Sequence, residues 1–145
     1  MGTKVTGDVK PGYRIHWHVV LTHFPISFFM VSAGFMVLHL FTETECFEVS
    51  AFLTLIAGTI ILIPTTISGW FTWKSQYKQV RITLFLYKIY ISFALIVISI
   101  TILIFRGFIF NTDHGIWHII YGIGFAILFF GSMAEGFYGG RLSHR

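Results

Sequence analysis

Four apolar stretches, each long enough to cross a lipid bilayer, occupy most of this 145-residue sequence. A membrane-spanning helix needs about 20 mostly apolar residues, and the stretches cover residues 19–41, 49–73, 83–105 and 115–138. Only 11% of the residues are charged, whereas about one quarter are charged in a typical soluble domain. The sequence therefore predicts an all-α fold, a transmembrane four-helix antiparallel bundle, and argues against an ordinary water-soluble domain.

The segments between the apolar stretches are short, at residues 42–48, 74–82 and 106–114. Short connections make consecutive helices antiparallel neighbours in one bundle. The chain then has an N-terminal tail of residues 1–18, a membrane domain of residues 19–138 and a C-terminal tail of residues 139–145. The first stretch is too long for a signal-peptide core, so we expect it to be a retained helix.

Positive charge falls almost entirely on one side of the predicted bundle. Short loops rich in Lys and Arg remain in the cytoplasm, which predicts cytoplasmic termini in a multi-pass protein of a bacterial-type plasma (inner) membrane. Nucleic acid is not expected as a partner, because the basic residues are scattered over tails and connectors. The basic residues on this side are Lys4, Lys10, Arg14, Lys74, Lys78, Arg81, Arg141 and Arg145. The other side carries Glu43, Glu45, Glu48 and Asp113, with Arg106 as its one basic residue.

Two histidines fall at similar depths on the first and fourth predicted helices. His39 lies near the outer end of the first helix, and His118 lies near the outer start of the fourth. Imidazole nitrogens on facing helices, surrounded by apolar side chains, are the arrangement that holds a b-type haem. Gly122 and Gly34 give the two helices thin patches where a flat ring would approach the backbone, and Met36 is an alternative ligand. The sequence therefore predicts haem b between the first and fourth helices, with His39 and His118 as ligands of the haem iron.

Other interpretations of these histidines stay open. Histidine at the headgroup level also hydrogen-bonds to water, lipid or a backbone carbonyl, and small residues also make ordinary helix contacts. His114 and His118, four residues apart, would also suit one metal ion on a helix face. His23 and His39 are 16 positions apart, which places them about 160° apart around the helix. We therefore expect one haem, with a second haem as an open alternative.

A second group of residues is predicted at the cytoplasmic level of the bundle, comprising His23, Trp70, Trp73, Lys88, Met133 and Glu135. Ionisable groups inside a membrane are costly unless they are paired, and they indicate function. Lys88 and Glu135 form the obvious pair. His23 would bind a quinone carbonyl, hold a second haem with Met133, or donate to Glu135. Against this, the long Lys side chain also reaches the membrane surface, and Trp is common at membrane interfaces.

The segment His18-Val-Val-Leu-Thr-His23-Phe-Pro-Ile resembles the opening signature of a family of small bacterial membrane proteins catalogued as a domain of unknown function. Further similarity is found in Ser68-Gly69-Trp70 and in Gly139-Gly140-Arg141-Leu142. The resemblance implies a four-helix membrane bundle, a functional role for His18 and His23, and a link to haem or redox chemistry.

The chain departs from that family at two places. Val19 stands where the family has a proline after its first histidine, and Tyr87 and Lys88 stand where the family carries a histidine in the third helix.

Three functions follow from these residues. The first is a cytochrome b-like electron-transfer subunit that exchanges electrons with membrane quinone or another redox subunit inside a larger complex. The second is a cofactor-free membrane anchor or assembly subunit. The third is a small proton carrier or transporter built on His23, Lys88 and Glu135. Because the chain shows no set of residues for bond-making chemistry, the sequence favours a non-catalytic electron-transfer or anchor subunit of a membrane oxidoreductase complex and leaves open whether the protein is an enzyme.

Overall fold

A computed structural model describes residues 17–76, 83–109 and 115–143, apart from some side chains at the helix ends. It contains four helices, α1 (Trp17–Thr42), α2 (Glu45–Gln76), α3 (Thr83–Ile109) and α4 (Ile116–Ser143). Each helix includes a segment of at least 23 residues that is long and apolar enough to cross a membrane. The predicted all-α four-helix bundle is confirmed, and these helices suit a multi-pass protein in a lipid bilayer.

Each helix packs against two others, so that α1, α2, α3 and α4 follow one another around the bundle and α4 returns to α1. The pair α1–α2 has the most extensive contact, and the pair α2–α3 has the least. We call the end that contains Thr42, Glu45, Ile109 and Ile116 the turn end. The opposite end, which contains Trp17, Gln76, Thr83 and Ser143, is the tail end.

A two-residue turn joins α1 to α2. Glu43 has a φ of 52°, and its N–H donates a 2.8 Å hydrogen bond to the carbonyl of His39. A single residue in this left-handed conformation is a common way to end a helix. Because α2 begins at Glu45, four residues before the predicted stretch at residue 49, Glu48 lies inside a helix and not in a connector.

Pro25 lies inside α1, where it removes one backbone hydrogen bond. A proline has no N–H, so the carbonyl four residues earlier, that of Leu21, loses its usual donor. The hydroxyl of Thr65 on α2 donates to this carbonyl at 3.4 Å, and it also donates to Ile61 of its own helix at 2.7 Å. Such replacement of a lost backbone bond is how membrane helices tolerate proline. It also ties α1 to α2 near the tail end.

The bundle interior is packed with large apolar side chains, and its outer surface is apolar as well. Exposed apolar residues around the whole bundle are what a lipid environment requires. The fully buried large apolar residues are Phe29, Met36, Leu55, Leu62 and Phe125, together with Leu128.

Candidate functional site

A cleft opens between α2 and α3 in the half of the bundle near the tail end. The space in it that water-sized groups can occupy is about 20 Å³, which is room for about one water molecule. The whole cleft, including the part open to its surroundings, has a volume of about 380 Å³. It lies along the helix pair with the least contact. The lining residues are Thr65, Thr66, Gly69 and Trp70 of α2, Lys88, Ile89, Ser92 and Phe93 of α3, and Glu135 of α4.

Glu135 is the most buried charged residue of this cleft, with 4% of its surface exposed. The hydroxyl of Ser92 donates a 2.7 Å hydrogen bond to its Oε1 atom. Ser92 is itself buried on α3, so this bond connects α3 to α4 inside the bundle. A buried carboxyl group needs such a partner, because an unsatisfied polar group in a membrane costs several kcal/mol.

Lys88 lies one helical turn before Ser92 on α3 and is half-buried. Its Nζ atom lies 3.4 Å from the position that a Cβ atom of Gly139 would occupy. Gly139 is one turn beyond Glu135 on α4, towards the tail end. The ammonium group therefore lies on the tail-end side of the carboxyl group. The described hydrogen bond to Glu135 comes from Ser92 and not from Lys88.

The structure brings together three of the six residues predicted at this level. Trp70, Lys88 and Glu135 line the cleft. His23 and Met133 are exposed on the outer surface of the bundle, and neither lines the cleft. The side chain of Trp73, the sixth residue, lies outside the described residues, as does that of His18, for which the resemblance implies a role. Ser92, which holds Glu135, was not identified from the sequence, because a lone serine in an apolar helix gives no signal of its partner.

A second polar cluster lies at the turn end and consists of Glu48, Arg106 and Tyr121. The guanidinium group of Arg106 donates to both carboxylate oxygens of Glu48, at 2.8 and 2.9 Å. The hydroxyl of Tyr121 donates to Oε1 of the same carboxylate at 3.1 Å. These bonds connect α2, α3 and α4, and the bond between Tyr121 and Glu48 crosses the bundle interior. We call these three residues the turn-end cluster.

The turn-end cluster was missed in the sequence analysis because Glu48 and Arg106 each fall one residue outside a predicted apolar stretch. Arg106 also lies over the ring of Phe52, with its central carbon 3.7 Å from the ring centre. A usable signal existed, since two opposite charges occur at the same end of neighbouring helices. Both carboxylate oxygens of Glu48 accept hydrogen bonds from described donors. The cluster therefore connects three helices without requiring a ligand.

The two predicted haem ligands both lie at the turn end, on helices that contact each other. His39 and His118 are half-buried. The Nδ1 atom of His39 lies 3.1 Å from the carbonyl oxygen of Thr44, within hydrogen-bond distance. Among the described residues, no group of three or more His, Cys, Asp or Glu side chains is placed to hold a metal ion. His114, the other residue of the alternative metal pair, lies outside the described residues.

The small-residue patches predicted for the haem ring have different surroundings. A Cβ atom on Gly122 would lie 3.5 Å from Leu40 and 4.0 Å from Met36 of α1. Met36 is 1% exposed. A Cβ atom on Gly34, by contrast, would have no neighbouring atom within 4 Å. A flat ring between α1 and α4 at this level therefore requires Leu40 and Met36 to move away from Gly122, so the residues present do not accommodate the ring in this packing.

No family model, curated protein or solved structure matches this chain. The resemblance to the family of small bacterial membrane proteins, which was based on short motifs, stays a prediction. The function is therefore argued from the geometry of the chain itself.

Proposed function

We propose that this protein is a small integral-membrane subunit of electron transfer that binds the headgroup of a lipid-soluble quinone in the cleft between α2 and α3. The observation that carries this proposal is the group of Trp70, Lys88 and Glu135 in one cleft at membrane depth. Ionisable residues at such a depth indicate function by default, and here they surround a space instead of filling it.

The chemistry of the cleft suits a quinone. A quinone headgroup is a flat ring with apolar faces and two carbonyl oxygens that accept hydrogen bonds. Lys88 provides a charged donor, and Trp70 and Phe93 provide aromatic surface at the cleft. The space of about 20 Å³ admits one oxygen atom of the headgroup, and the ring would lie in the part of the cleft that is open to its surroundings. Binding sites of this kind combine apolar walls with a few polar groups that fix orientation.

The described interior gives less support to a proton carrier. Between the cleft and the turn-end cluster, the described interior combines apolar side chains such as Leu62 and Leu128 with the buried hydroxyl groups of Ser32, Thr59, Ser99 and Ser132. His23, which that hypothesis required, lies on the outer surface. Among the described residues, no buried carboxylate, ammonium or imidazole group connects the cleft with the turn-end cluster.

Quenching of tryptophan fluorescence tests the proposal. The chain has four tryptophans, and replacing Trp17, Trp73 and Trp117 with phenylalanine leaves Trp70 as the only one. A matched variant keeps Trp117 alone. These two side chains are equally exposed, at 46%, but Trp117 lies at the turn end. We expect decylubiquinone in liposomes to quench Trp70 with saturation and Trp117 only in proportion to its concentration. Proportional quenching of both would contradict quinone binding in the cleft.

Replacing Lys88 with methionine tests the charged donor. Loss of a hydrogen bond to a charged group costs about 1.5 kcal/mol at the lower end of the usual range, which weakens binding about tenfold. Lys74, exposed in the last turn of α2, provides the control substitution Lys74→Met. Equal affinities of the two variants for decylubiquinone would show that Lys88 does not contact the headgroup.

Haem b held by His39 and His118 is the second candidate, favoured by the position of both half-buried side chains at the same end of contacting helices. A haem supplies a one-electron redox centre. Protein purified from haem-replete cells would then show a Soret band that His39→Ala and His118→Ala each abolish or shift and that His23→Ala leaves unchanged. A colourless protein would remove this candidate without affecting quinone binding. A colourless protein without saturable quenching would favour the cofactor-free anchor.

A further inference from the structure

We infer that Glu135 is the residue that exchanges a proton with the quinone bound in the cleft, an inference that rests on the proposed quinone binding. Reduction of a quinone to a quinol needs protons as well as electrons. An acid inside the binding site delivers a proton without requiring water to enter the apolar part of the bundle.

The position of Glu135 suits this role. The residue is 4% exposed, yet it lines the cleft, so its carboxyl group is reached through the cleft. Ser92 holds the Oε1 atom at 2.7 Å, which fixes the orientation of the group and leaves Oε2 without a described hydrogen bond. Glu135 lies eight residues before the end of α4, which is about 12 Å along the helix. The carboxyl group is therefore well separated from the tail-end surface.

The groups that face Glu135 differ from helix to helix. On α3 these are Lys88 and Ser92, and the α2 lining residues of the cleft contain no carboxylate, ammonium or imidazole group. On α1, His23 is exposed on the outer surface. Tyr87 and Tyr138 stack on each other at 6.3 Å outside the cleft lining. Lys88 is thus the described charge that balances a Glu135 carboxylate.

The proton step is balanced as follows. Two electrons reach the quinone from an iron–sulfur or haem centre of a redox partner. The O–H bond of the Glu135 carboxyl group breaks, and a new O–H bond forms on the quinone oxygen in the cleft. A hydronium ion from the aqueous phase provides the second proton for the other oxygen and leaves as water. The carboxylate that remains is stabilised by the Ser92 hydroxyl and by the Lys88 ammonium group until a second hydronium ion re-protonates it, so that the quinone takes up two electrons and two protons in all.

Infrared difference spectroscopy of the full chain in lipid tests this step. Decylubiquinone is reduced electrochemically through a mediator, and the difference spectrum is recorded in H₂O and in D₂O. We expect a negative C=O stretching band of a protonated carboxyl group that shifts in D₂O. Glu135→Gln should lose this band, whereas Ser92→Ala should shift it, because the hydrogen bond to Oε1 is lost. Glu45→Gln, a change of an exposed carboxylate at the turn end, should leave the band unchanged.

Quenching of Trp70, measured in the variant that keeps Trp70 as its only tryptophan and in the same lipid, separates the two proposals. Saturable quenching without a carboxyl band, or with a band that survives Glu135→Gln, would overturn the proton role and leave quinone binding in place. Absence of saturable quenching in the otherwise native chain would overturn quinone binding itself. A band that is lost in Glu135→Gln but has the same frequency in Ser92→Ala would support the proton role of Glu135 and overturn the orienting role of Ser92.

Discussion

Replacing Arg106 with methionine removes the positive charge of the turn-end cluster while keeping an apolar side chain of similar length. The guanidinium group gives Glu48 two hydrogen bonds, at 2.8 and 2.9 Å, and lies over the ring of Phe52. In the variant, the described donor that remains to the carboxylate is the hydroxyl of Tyr121. We therefore expect the three-helix connection at the turn end to weaken.

The expected cost follows from these contacts. Hydrogen bonds between membrane helices contribute about 0.6 kcal/mol on average and up to about 1.7 kcal/mol, so two bonds give about 1–3 kcal/mol. The contact with the Phe52 ring adds about 0.5–1 kcal/mol. Breaking a fully buried ion pair costs about 3–5 kcal/mol, but the Arg106 and Glu48 side chains are 19% and 13% exposed, which reduces the penalty through screening. We expect Arg106→Met to lower the free energy of unfolding by about 3 kcal/mol.

The assay is reversible unfolding in mixed micelles with increasing SDS, followed by circular dichroism. The double variant Glu48→Gln/Arg106→Met removes both charges and leaves no unpaired carboxylate. Its cost should fall below the sum of the two single variants by about 2 kcal/mol, as for groups in one network. A loss below about 0.5 kcal/mol in Arg106→Met, or additive costs in the double variant, would refute the view that this pair stabilises the bundle.

Three further predictions concern packing, the turn-end cluster and orientation. Gly58→Ala should lower the free energy of unfolding by about 1–3 kcal/mol, because the new Cβ atom would lie 2.8 Å from the buried ring of Phe29. Gly34→Ala is the control, since its Cβ atom would have no neighbouring atom within 4 Å. Equal stability of the two variants in SDS would contradict the close contact between α1 and α2. Tyr121→Phe should cost about 1 kcal/mol in the same assay, and an unchanged stability would show that its hydroxyl bond contributes nothing. Cys46, the single and exposed cysteine at the turn end, should react with a membrane-impermeant maleimide in intact cells if both termini are cytoplasmic. Labelling only after permeabilisation would reverse that orientation.

The helices could be predicted because membrane spans have a simple requirement. Each apolar stretch had the length of a bilayer, and the short connections made successive helices neighbours. The exact helix ends were harder to predict. The helix α2 begins at Glu45, because acidic residues in the first turn stabilise a helix start. That shift of four residues moved Glu48 from a predicted connector into the bundle, where Arg106 pairs with it.

The cleft was predicted in part, because counting from helix ends gives depth but not direction. Trp70, Lys88 and Glu135 were predicted at one level of the bundle. In the structure, these three residues line the same cleft. His23 and Met133 share that level but lie on outward faces. Which face of a nearly uniformly apolar helix turns inward depends on packing with its neighbours, and the sequence of one helix does not contain that information.

At the turn end, the ion pair of Glu48 and Arg106 joins α2 to α3. Towards the tail end, the cleft separates the same two helices. The lipid-soluble quinone that we propose for this cleft would enter it between α2 and α3 from the hydrocarbon phase, in which it is dissolved. Its effective concentration is its mole fraction among the lipids, so occupancy responds to dilution with additional phospholipid and not to the volume of the surrounding buffer.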